Sequence, residues 1–273
     1  MGGSTHFSCR GEHMHLSFTE TQTLTWTQRI IALALIQQSF EFLLIQRELD
    51  LGGSWSWAIL ERDFEFFPRP VVALLERILS GLGFKAVLLV QLAASFLGLA
   101  APAPIQFFVL FLTHTLICLR WRGTFNGGSD FMTLVVLTAL VLSGMFGQDS
   151  GVVRLALIYI ALHSISSYLI AGVAKLSKPS WRSGQALRTF LTGSNLSWLP
   201  GPVSALVLTF GILLFECSFP FAVFRPEFCL LYMCLALLFH LINAAVLGLN
   251  RFVLPWAATY PALLFLSQFR PFG

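Results

Sequence analysis

Lys175, Tyr168 and Ser164 are residues whose types and spacing could do chemistry. At 3.6 residues per turn they fall on one face of an apolar helix, with Tyr168 and Lys175 two turns apart. An amine at the lip of such a helix, above a phenol and a hydroxyl, is a set of groups that exchange protons and hydrogen bonds. The competing reading is a snorkelling lysine, whose long stem lifts the ammonium to the membrane interface. His114, Glu216, His240 and Asn243 also lie inside apolar stretches. An unpaired charge there costs at least ~2.5–3.5 kcal/mol, so each such group needs a partner or a wet cavity. Glu216 is expected to pair with a lysine or arginine near the end of the Lys175 helix. For each histidine a helix–helix hydrogen bond is the simpler reading; Lys175, Glu216, His114 and His240 in one bundle point to a shared internal site.

The elements that must hold these residues are membrane helices. The 273 residues are 56% hydrophobic and 11% charged, with mean hydropathy +0.77 and pI near 9.0. A soluble domain carries about 25% charged residues, so the composition defines an all-α polytopic bundle in contact with a lipid bilayer. The net charge is +4, yet the basic residues are scattered among apolar helices. That excludes a nucleic-acid surface. Five cysteines show neither CxxC spacing nor a disulfide framework, and Cys118, Cys217, Cys229 and Cys234 read as small buried hydrophobes.

Residues 1–26 read as a disordered polar tail. Its His6, Cys9, His13 and His15 lack a second ligand pair, so no metal centre is expected. Residues 27–273 form the transmembrane domain. Spans are expected near 28–46, 83–100, 105–121, 131–147, within 152–190, and near 203–224, 228–250 and 252–268, about eight in all, with seven or nine as the alternatives. The 131–147 helix is so uniformly apolar that it reads as a lipid-facing strut. The last span is interrupted by Pro255 and Pro261. After the first span, residues 47–80 read as an amphipathic interfacial segment rich in Trp and Phe. A second amphipathic piece, GQALRTFL, follows Lys175. Most Lys and Arg fall after the odd-numbered spans, which places the Lys175 loop in the cytoplasm; a multi-pass protein of a bacterial inner or plasma membrane is expected. No Gly-rich phosphate loop, GxSxG elbow or HExxH occurs.

The block YLIAGVAKLSKPSWRSGQAL (168–187) resembles the segment around the catalytic lysine of the vitamin K-dependent gamma-carboxylases. LFECSFPF (214–221) and FHLINAAVLGLNRF (239–252) are similar to that family's later helices, in the same order and spacing. The chain thus resembles the HTTM (horizontally transferred transmembrane) domain group. That resemblance implies a reduced quinone, vitamin K-like, as cofactor, with Lys175 as the base that deprotonates it. His240 and Asn243 match the later block, and Tyr168, Glu216 and His114 would line the site. Such chemistry requires an amine that is neutral near pH 7, and lateral access for an isoprenoid quinone. In the carboxylases, oxidation of the hydroquinone by O₂ yields a strong base that takes a γ-proton from a protein or peptide glutamate, and the carbanion adds CO₂. Two departures stand out. A histidine that follows an asparagine in the carboxylases is replaced by Gly127 and Gly128 after Asn126, and no propeptide-binding domain occurs in these residues. Two functions are therefore carried forward. One is a quinol-linked membrane enzyme; the other is a non-catalytic partner, carrier or maturation subunit that keeps the bundle alone.

Overall fold

The computed structural model describes residues 19–49, 53, 55–121, 128–146, 150–193 and 201–268, and these are helical with no strand among them. The first helix, α1 (Glu20–Leu44), starts inside the stretch expected as tail. Thr19 and Gln22 exchange side-chain and backbone hydrogen bonds in a capping box, which satisfies two of the helix's otherwise orphaned N–H groups. The rest of that tail, with its histidines and Cys9, lies outside the described residues. Short turns α2 (Gln46–Leu49) and α3 (Trp57–Leu60) lead to α4 (Arg69–Leu79). The apolar face of α4, through Val72, Leu75, Ile78 and Leu79, packs on Trp57, Leu60 and Phe64, while its other face is exposed. This is the amphipathic segment expected after the first helix.

Next come α5 (Gly81–Ala100), α6 (Pro104–Arg120), α7 (Ser129–Met145) and α8 (Ser150–Leu176). Pro104 opens α6, where a missing N–H costs nothing, and Gln106 accepts the Ala103 N–H at 2.9 Å. Beyond α8 come α9 (Pro179–Arg182), α10 (Gln185–Thr192), α11 (Pro202–Ser218) and α12 (Pro226–Leu247). The chain then folds back as α13 (Val253–Ala257) and α14 (Tyr260–Gln268).

Among the described residues, four helices are long and apolar enough to cross a bilayer: Gly81–Ala100, Gly151–Leu176, Pro202–Val223 and Pro226–Leu247; α6 and α7 are apolar but shorter. The chain is thus a helical membrane protein of the multi-pass kind. The stretch expected as an eighth span is two short helices. Pro261 at the second position of α14 has no N–H to continue α13.

The core differs from the expectation in one respect. The helix read as a lipid-facing strut, α7, is the centre of the bundle, with Met132, Val135, Val136, Leu137, Ala139 and Leu140 all buried. The short α14 packs against α8 and α1, with Ala262, Leu263 and Leu264 buried in the same core. By contrast α12 exposes most of its apolar surface, as a lipid-facing helix would. The cysteines also divide: Cys229 is buried, Cys118 and Cys217 are half-buried, and Cys234 is exposed.

Gly172 sets the distance between α8 and α11. A Cβ there would stand 2.8 Å from Cys217 Sγ and 2.9 Å from both Cys217 N and Glu216 Cβ. Gly172→Ala is expected to push the two helices apart and lower stability by about 1–3 kcal/mol, measured by thermal unfolding in detergent.

Candidate functional site

The close approach at Gly172 carries Glu216 of α11 to Lys175 on the last turn of α8. Lys175 Nζ donates to both carboxylate oxygens of Glu216, at 2.6 and 2.7 Å. The Glu216 side chain is 3% exposed and that of Lys175 22%. This lysine therefore does not simply snorkel; its ammonium is held by a buried carboxylate. Trp181 of α9 covers it from the interface side, its ring 5.4 Å from Nζ. Gly184 makes that cover compact. It sits at φ +73° in the left-handed region, and a Cβ would stand 2.9 Å from the backbone of Leu206.

Two turns deeper, Tyr168 Oη and His240 Nε2 share a hydrogen bond of 2.7 Å between α8 and α12. Aromatic rings hold the pair in place. Tyr168 stacks on Phe219 at 3.9 Å and meets Phe215 edge-on at 5.5 Å. His240 stacks on Trp256 at 5.1 Å. Packing on several sides locks each rotamer, so the polar atoms have fixed positions. His240 Nδ1 and Trp256 Nε1 are buried with no hydrogen-bond partner among the described residues.

Lys175, Glu216, Tyr168, His240 and Asn243 all line one cavity of about 920 Å³. Its remaining walls are almost wholly apolar, and Gly128 contributes from the start of α7. Ile170, Phe190, Leu208 and Ile242 line the cavity and are also exposed on the outside of the bundle, so it opens on an apolar side. Such a space, with a few fixed polar groups, takes a largely apolar ligand carrying a polar head. The unpartnered His240 and Trp256 nitrogens suit oxygen atoms on that head.

His114 is elsewhere. It lies on α6 among Gln38, Cys118 and Asp130, and does not line the cavity. Asn126 and Gly127 fall outside the described residues. Trp181, Phe252 and Trp256 line the cavity without having been singled out in the sequence. Trp256, between the two prolines of the last segment, carried the only signal available.

The fold and this site define a polytopic helical membrane protein with a polar-headed apolar cavity. No protein-family model, curated protein or solved structure matches the chain.

Proposed function

We propose that the protein is a quinol-linked membrane enzyme, its cavity taking an isoprenoid hydroquinone from the bilayer and Lys175 receiving a ring-hydroxyl proton. One observation carries this reading: the Lys175–Glu216 and Tyr168–His240 pairs face the same apolar, laterally open cavity. The resemblance of residues 168–187 and 239–252 to the carboxylase blocks adds to it. About eight membrane passages are proposed, with α1, α6, α7 and the broken α13–α14 completing the four long helices.

A hydroquinone supplies a weakly acidic hydroxyl and a reducing ring. For Lys175 to act as base, its extra proton must rest on Glu216. The pair Lys–NH₃⁺/Glu–COO⁻ and the pair Lys–NH₂/Glu–COOH have the same net charge, so the exchange creates no lone ion in the apolar site. The amine then accepts the hydroxyl proton, and the new ammonium faces the oxyanion it has made. His240, Trp256 and Tyr168 orient a second oxygen at the deep end of the cavity. Gly128 offers no ring where the resembled family has a histidine nearby, which leaves His240 as the imidazole of this site.

The non-catalytic reading makes the same ion pair a purely structural clasp, so the test must separate fold from turnover. Lys175→Ala strands the Glu216 carboxylate; Lys175→Met with Glu216→Leu removes both charges together. Purified in mild detergent, the wild-type chain is expected to retain isoprenoid quinone, detected by extraction and mass spectrometry, and to oxidise an added short-chain quinol with O₂ as the electron acceptor. The double variant is expected to keep the helicity and melting temperature and to lose the turnover. No quinone enrichment over unrelated membrane proteins, or unchanged turnover in the double variant, rejects the enzyme.

A further inference from the structure

On the other side of α7 three potential metal ligands meet. His114 and Cys118 stand one helical turn apart on α6 and face the first turn of α7 at Asp130. One ligand atom from each lies within 4.8 Å of the others. The surrounding hydrogen bonds fix the histidine tautomer. Gln91 Nε2 donates to Gln38 Oε1 at 3.0 Å, which makes that oxygen the acceptor in its 3.0 Å contact with His114 Nδ1. His114 Nδ1 therefore donates to Gln38, and in the neutral ring Nε2 carries the lone pair. Yet Nε2 faces the Asp130 carbonyl oxygen at 3.3 Å and Cys118 Sγ at 3.4 Å.

We propose that His114, Cys118 and Asp130 form a binding site for a transition-metal ion of the zinc class. A tetrahedral ion with ligand bonds of about 2.1–2.3 Å sets its ligands about 3.4–3.8 Å apart. Nε2 and Sγ already stand at that spacing, and the carboxylate closes the set with a small side-chain shift. The Gln38 contact is the outer hydrogen bond that orients a metal-bound imidazole. A thiolate and an imidazole together select zinc, cobalt or copper over magnesium or calcium. Binding sends the Cys118 thiol proton to solvent. Thiolate and carboxylate match the charge of a divalent ion, and Arg251 stays beside Asp130 as its second cation.

The test uses the full chain in detergent, in a background of Cys9→Ser with His6, His13 and His15→Gln, so that the tail offers no ligands. Added Co²⁺ is expected to give, at one equivalent, a thiolate-to-cobalt charge-transfer band in the near ultraviolet. Cys118→Ser is expected to abolish the band, while Cys217→Ser and Cys234→Ser keep it. Should Cys118→Ser fail to fold, X-ray absorption of the zinc-loaded parent decides, with one sulfur scatterer at about 2.3 Å expected. Absence of the band in the parent, its survival in Cys118→Ser, or a zinc shell without sulfur overturns the site.

Discussion

Glu216→Ala is expected to destabilise the bundle by about 2–3 kcal/mol, because it leaves the Lys175 ammonium facing an apolar cavity with its carboxylate gone. The loss sits toward the lower end for a buried pair, since Lys175 keeps some contact with the outside. Removing the second charge as well should recover most of it: Lys175→Met/Glu216→Leu fills similar volume without leaving an unpaired ion. Unfolding in a denaturing detergent titration, with the two single variants and the double, gives the coupling directly. A double variant as unstable as Glu216→Ala would show that the carboxylate supports α11 through some contact other than Lys175.

The second large effect is expected at Arg120, at the end of α6. Its side chain is fully buried, and Nη2 donates to the backbone oxygens of Leu49 at 2.9 Å and Trp55 at 2.5 Å. The guanidinium also lies over the Phe84 ring. One cation thereby ties the α2–α3 segment to the transmembrane helices. Arg120→Met keeps the stem and removes the donors, stranding two backbone carbonyls, at an expected cost of about 2–3 kcal/mol. Hydrogen exchange should rise across 46–79 before it rises in α7. Uniform protection across both regions would mean that the aromatic contacts of Trp55 and Trp121 alone secure the segment.

Arg120 also shows what a sequence can and cannot disclose. In the chain it reads as a basic residue at the end of an apolar span, because nothing local announces the carbonyls of Leu49 and Trp55. Glu216 was more legible. A carboxylate in an apolar helix demands a cation, and Lys175 and its neighbours were the nearest candidates in the Lys175 helix and loop. The starts of three helices were also readable, since Pro104, Pro202 and Pro226 stand at them. Which apolar helix is central was not. Lipid and protein interior are equally greasy, so α7 and α12 look alike in composition while α7 is buried and α12 exposed. The same blindness hid the separation of His114 from His240, since both are histidines in apolar helices and only the packing assigns them to different sites.

The opening of the cavity through Ile170, Phe190, Leu208 and Ile242 has a consequence for any titration. A ligand that arrives by that route is drawn from the hydrocarbon phase, so occupancy follows its mole fraction in lipid or micelle. Diluting the aqueous buffer at constant protein-to-lipid ratio should leave saturation unchanged, whereas adding empty micelles should lower the ligand's mole fraction in the hydrocarbon phase and weaken apparent binding.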